Sequence, residues 1–222
     1  MLNVAVTPFR ILLALLAGSL VFAAPVQARI TEIGATGDQA IGAPACPRDC
    51  IAMTKTTGYQ AKVGPTRGLY TVPRDGRIVA WTITLGNPGP SQIKFFNENY
   101  DGVSKAGIVV LRTGERLFGR TIAVSPIKQL EPFFGKSAQF ALPETIVVHK
   151  GEVIALNVAT WAPSLAVGLG PDTSWRASRE DKCTDQTTTG LQTSQELNSL
   201  AQYRCLYQTA RLTYSATLIS TP

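Results

Sequence analysis

Cys46 and Cys50 stand four positions apart in ACPRDC, and Cys183 and Cys205 complete the chain's four cysteines. Thiolates at short spacing can exchange electrons, hold a soft metal, or pair as structural disulfides. A thioredoxin-like redox centre has two intervening residues and a βαβ setting. Here three residues intervene, close to the N-terminus. A tetrahedral zinc site takes two short-spaced pairs, and a long polar stretch separates Cys183 from Cys205. Structural disulfides are therefore expected. Of the three pairings that four cysteines allow, Cys46 with Cys50 and Cys183 with Cys205 is favoured.

Other reactive constellations are incomplete. His149 is the single histidine, lies beside a turn signal, and has no neighbouring Cys or Asp to form a nucleophilic dyad. No G-x-S-x-G elbow accompanies it. SQIK (Ser91–Lys94) and SPIK (Ser125–Lys128) fit the S-x-x-K pattern of Ser–Lys enzymes, but the supporting S-D-N and K-T-G elements are missing. GKS at Gly135–Ser137 lacks the upstream glycine of a phosphate-binding loop and reads as a turn. Glu98 paired with Glu131 or Glu144 would supply the two carboxylates of a glycosidase, given a suitable separation.

NENYDG (Asn97–Gly102) resembles the opening of a calcium loop. Asn97, Asn99 and Asp101 alternate as oxygen ligands, and the glycine permits the bend. The bidentate acid that closes such a loop is replaced by Ile108. An Asx-type surface turn is the default, with calcium as the only cofactor the sequence suggests. Phe95, Phe96 and Tyr100 frame this segment, and Trp161 and Trp175 lie on later segments. Aromatic rings beside amides and acids are a common way to hold sugars. Phe96, Tyr100, Trp161 and Trp175 are thus the candidate ligand-binding residues.

The rest of the chain supplies strands to hold these groups. Ile11–Ala23 is an uncharged Leu/Ala-rich run, followed by VQA at Val26–Ala28, which predicts a secretory signal peptide over 1–28 cleaved after Ala28. The run falls short of a bilayer span, so no stable membrane insertion is expected after cleavage. Export places the cysteines in an oxidising compartment. Residues 29–44 are Gly/Ala-rich and read as a loose N-terminal arm, with a single domain over 45–222. The net charge of +6 is dispersed without any Lys/Arg run, which excludes the gathered basic face of a nucleic-acid binder.

Period-two alternation dominates from Gly58 onward. In GRIVAWTITLG, Val79, Trp81, Ile83 and Leu85 are expected on one face. AGIVVLR is continuously apolar and reads as a strand covered on both faces. Lys150–Gly151, between two β-rich runs, reads as a tight hairpin. Near the C-terminus, Ala210, Leu212, Tyr214, Ala216 and Leu218 alternate with polar residues. Thr184–Gln202 reads as a long loop with a short helix near SQELNSLAQY. Together these predict an all-β, antiparallel β-sandwich of jelly-roll-like character.

YTVPRDGRIVAW, AGIVVLR and the V-x-K-G-x-x-I-A-L arrangement in VHKGEVIAL resemble a group of secreted bacterial β-sandwich proteins of unassigned function. The resemblance spans Gly68–Val158 and implies fold and compartment only. The function expected from the sequence is a non-catalytic binding or surface-structural module with an extracellular polymer or protein as partner. The alternative is a secreted hydrolase using loop carboxylates or a Ser–Lys pair.

Overall fold

The structure, a computed structural model, describes residues 28–35, 42–179, 183, 192–193 and 195–220. Apart from Ala28, the expected signal peptide lies outside these residues. Strands β1 (Ile30–Ile33), β2 (Met53–Val63), β3 (Thr66–Arg67) and β4 (Gly76–Thr84) precede helix α1 (Pro90–Asn99). Strands β5 (Lys105–Thr113), β6 (Phe118–Val124), β7 (Lys128–Gln129) and β8 (Ser137–Val148) follow. Then come β9 (Val153–Ala162), β10 (Leu165–Val167), β11 (Ser174–Ala177) and β12 (Leu200–Gln202). The chain closes with β13 (Cys205–Gln208), β14 (Ala210–Leu212) and β15 (Tyr214–Ser220).

The fold is all-β and antiparallel, as the alternation predicts. One sheet runs β1-β15-β4-β8; a larger one runs β12-β6-β5-β9-β2-β11-β13, with β3 on β2 and β7 on β5; β10 and β14 form a separate pair. One apolar cluster draws on both large sheets, with Trp81, Ile83, Tyr214 and Leu218 from the first and Ile108, Val110, Leu156 and Val158 from the second. Tyr214 Oη ties them by donating to the Ile154 carbonyl at 2.9 Å, and Tyr70 Oη donates to the Tyr214 carbonyl. Burial pushes both phenols well above their usual range, so they stay protonated donors.

Local pattern and observed burial agree except where the pairing slips. Trp81, Ile83 and Leu85 are buried as expected, but Ile78 replaces Val79 in the core. A bulge in the β4–β8 ladder between Ile78 and Ala80 resets the alternation by one residue. Residues Ala106–Leu111 of β5 are buried without interruption, matching the reading of AGIVVLR. The C-terminal alternation spans two strands rather than one. At Thr213 the chain leaves β14 and enters β15, with its N–H donating to Ser164 and its hydroxyl to the Thr84 carbonyl.

Three expectations are corrected. Part of the supposed loose arm is strand β1, which pairs with β15 from Ile30↔Ile219 to Ile33↔Ala216. The described part of SQELNSLAQY ends in strand β12 rather than a helix, because Leu200–Gln202 pair with β6. The Lys150–Gly151 turn joins β8 to β9, which belong to different sheets, so it is an arch between sheets and not a hairpin. Gly151 still supplies the positive φ of 94° that the turn requires.

Two carboxylates hold this arch. Glu152, buried, accepts the His149 N–H at 2.8 Å and pairs with Arg112 at 2.9 Å. Asp75, across the arch, accepts the Lys150 N–H at 2.8 Å and faces His149 Nδ1 at 3.3 Å. The bond from Lys150, followed by that from His149, lowers the Asp75 pKa below its ordinary 3.8. A lowered acid stabilises the fold above its unfolded pKa, and that contribution fades as pH falls through the lower folded value. Amide exchange at Lys150 is therefore expected to accelerate below about pH 4 relative to the core. Asp75→Asn should remove that acid-specific step; a wild-type profile in the variant would refute the assignment.

Candidate functional site

Helix α1 begins where Gly89 and Pro90 supply an extended cap and a preset first turn. Gln92 Oε1 accepts the Gly89 N–H at 2.7 Å, and its Nε2 donates to the Pro47 carbonyl at 2.8 Å. That second bond docks the helix start on the ACPRDC loop, which the Cys46–Cys50 disulfide closes. Further along, Phe96 is the residue α1 buries, stacked on Trp161 with centroids 4.8 Å apart. The helix ends as the Tyr100 N–H donates to the Phe96 carbonyl, and Asp101 and Gly102 take positive φ.

NENYDG is thus the end of a helix and its exit turn. Its candidate calcium ligands have other partners. Asn97 Oδ1 accepts the Trp161 indole N–H at 2.8 Å, while its Nδ2 donates to Glu131 at 3.3 Å. Asn99 Nδ2 donates to the Phe95 carbonyl at 2.7 Å, and Asp101 pairs with Lys55 at 2.5 Å. Among the described residues, no group of three or more His, Cys, Asp or Glu is placed to hold a metal ion. Trp161 is likewise engaged within the fold. It is 0 % exposed, since β9 is covered on both faces and α1 closes over the ring.

The opposite wall comes from β11 and β13. Trp175 stacks on its cross-strand partner Tyr207 with centroids 4.7 Å apart. Gly58 of β2 makes room for it, because a Cβ there would lie 2.8 Å from the indole. Tyr207 Oη donates to the Cys183 carbonyl at 2.9 Å, and the Arg179 guanidinium lies 5.8 Å from the Tyr207 ring centroid. The Cys183–Cys205 disulfide fastens the start of β13 to this wall. Both disulfides follow the favoured pairing.

Between the walls runs a cleft of about 810 Å³. Phe96, Tyr100 and Trp175 line it, so the fold does bring three of the four candidate aromatics together. Phe96 and Trp175 are largely buried and form its floor. What a ligand meets at the mouth is Phe95 (54 % exposed), Ile51 (46 %) and Leu206 (42 %). Sequence reasoning missed Ile51 and Leu206, and named Phe95 as framing the segment without placing it among the candidate ligand-binding residues. Ile51 directly follows Cys50, and Leu206 directly follows Cys205, so each disulfide adjoins one apolar residue that borders the cleft. No family model, curated protein or solved structure matches the chain.

The groups named for hydrolysis take structural partners or lie on the surface. Ser91 is in the first turn of α1, and Lys94 pairs with Glu98 at 3.8 Å. Ser125 is buried, with its Oγ accepting the Ile108 N–H at 2.9 Å, while Lys128 lies in the short β7. Glu131 receives Asn97, and Glu144 is exposed on β8. Among the described residues, no Asp or Glu lines the cleft. Nor is any helix among them long and apolar enough to cross a membrane.

Proposed function

We propose that this chain is an exported, non-catalytic binding module whose cleft receives an apolar segment of a partner protein. The observation that carries the reading is the convergence of Phe95, Ile51 and Leu206, three exposed large apolar side chains, on the mouth of one aromatic-floored cleft. Clustered exposed apolar groups rimmed by polar ones mark protein recognition, whereas scattered ones do not. Thr54, Gln208 and Thr209 supply such a rim. The two disulfides support the oxidising compartment, and the N-terminal run supports export. A sandwich of the two large sheets, jelly-roll-like in connection, is the architecture that goes with this reading.

The test is selection from a displayed random peptide library against the mature chain, followed by fluorescence anisotropy on the selected peptides. Peptides rich in aromatic and branched apolar residues are expected, with Phe95→Ser and Leu206→Ser each weakening binding about tenfold or more. A glycan array with and without EDTA runs in parallel. Glycan responses that need Phe95, without peptide responses, would move the ligand to an extracellular polysaccharide. Loss of that signal in EDTA would restore calcium. Selected peptides indifferent to both substitutions would sink the cleft as the site.

A further inference from the structure

A second cavity, of about 340 Å³, opens on the sheet β3-β2-β11-β13, and among the described residues its lining holds three cations and no carboxylate. The register explains how they meet. Arg67 of β3 pairs with Lys62 of β2, Lys62 with Ser174 of β11, and Ser174 with Gln208 of β13. A single cross-strand row therefore reads Arg67–Lys62–Ser174–Gln208. The bulge at Ser174/Trp175 keeps this row in line with the next, Tyr59–Arg176–Leu206. Every polar side chain in the first row can donate a hydrogen bond.

Like charges directly opposite on paired strands destabilise a sheet, yet Lys62 and Arg67 occupy that arrangement. Neither has a side-chain hydrogen bond or ion pair among the described residues, and the same holds for the side chains of Ser174 and Gln208. Arg176 is held in place by donating Nη1 to the Tyr203 and Arg204 carbonyls at 3.2 and 3.3 Å. Asp172, next to the lining residue Pro171, sits over Gly170 and Gly64 and forms no ion pair with any of the three cations among the described residues.

We infer that this pocket is an oxyanion site that takes a phosphate or sulfate group, free or carried as an ester. Such a group offers several acceptor oxygens and up to two negative charges. It would neutralise the Lys62–Arg67 repulsion, fit the Arg67 fork and accept from Ser174 and Gln208. The pocket volume suits a tetrahedral group together with part of the molecule bearing it. The inference is independent of the aromatic cleft, although Leu206 and Gln208 border both.

The experiment is isothermal titration of the mature chain at low ionic strength with inorganic phosphate, sulfate, glucose 6-phosphate and glucose 6-sulfate. Saturable binding is expected for at least one anion, weakening as salt rises. Lys62→Gln and Arg67→Gln should each reduce affinity about tenfold or more. Esters binding more tightly than the free ions would identify a pendant group; equal affinities would identify the free ion. Both variants are partly or fully exposed and should fold. Without ligand they are expected to melt about 1–3 °C higher than wild type, since a repulsive pair is relieved. No saturable response to any of the four probes, or a response unchanged in both variants, would overturn the site.

Discussion

Replacing Trp161 by alanine is expected to cost about 3–5 kcal/mol of stability, the range for emptying a buried aromatic site. The indole is fully buried, stacks on Phe96, lies 5.5 Å from the Phe134 ring, and donates to Asn97 and to the Gly102 carbonyl. Its loss would open a cavity and strip two acceptors of their donor. Because Phe96 is the residue by which α1 is buried, the helix should loosen and peptide binding should fall with stability. Trp161→Phe keeps a ring against Phe96 but loses the N–H, and should cost about 1–3 kcal/mol. Phe95→Ser gives the contrasting result: stability within about 0.5 kcal/mol of wild type, since the ring is exposed, with peptide binding weakened about tenfold or more. Denaturant titration of the three variants checks this. A Trp161→Ala protein of wild-type stability that fails to bind would return Trp161 to the role of a ligand platform.

Cys183→Ser with Cys205→Ser is expected to destabilise by about 3 kcal/mol, and Cys46→Ser with Cys50→Ser by about 2 kcal/mol. The difference follows from chain entropy. The first disulfide spans 22 residues of sequence and the second spans 4, so the first removes more freedom from the unfolded chain. Their local effects differ as well. The longer bridge sets Cys183, whose carbonyl receives Tyr207, and so supports the Trp175–Tyr207 wall of the cleft. The shorter one closes the loop that receives Gln92 and places Ile51 at the mouth. Denaturant midpoints for both double variants, with unchanged slopes, measure the ranking. Equal or reversed costs would mean that native contacts, rather than loop length, set the contribution of each bridge.

Much of the local structure was legible in the chain. Alternation marked β4 and β15, an unbroken apolar run marked β5 as covered on both faces, and cysteine spacing pointed to the pairing observed. The candidate site was legible in part. Phe96, Tyr100 and Trp175 do share a cleft, yet which of Phe95 and Phe96 reaches solvent depends on the phase of a helix the sequence only hinted at. Asn97, Asn99 and Asp101 carry a calcium-like spacing, yet each has another partner in the fold, because oxygen-rich residues serve equally well to end a helix and receive an indole N–H.

Periodicity along a strand reports which face is buried, because successive side chains alternate across the sheet. That much is decided within a few residues, and apart from the bulge that exchanges Val79 for Ile78 the sequence alone determines it here, together with the turn at Gly151 and the absence of a Lys/Arg run. Partner choice is not decided locally. The same Lys150–Gly151 turn serves a hairpin or an arch, and only the pairing of β9 with β5 and β2 makes it an arch. Likewise Arg67, Lys62, Ser174 and Gln208 come from four strands spread along the chain, and only the sheet order sets them in one row. Hydrogen-bonded ladders accept any sequence of suitable face pattern, so neighbours are chosen by how the whole core packs.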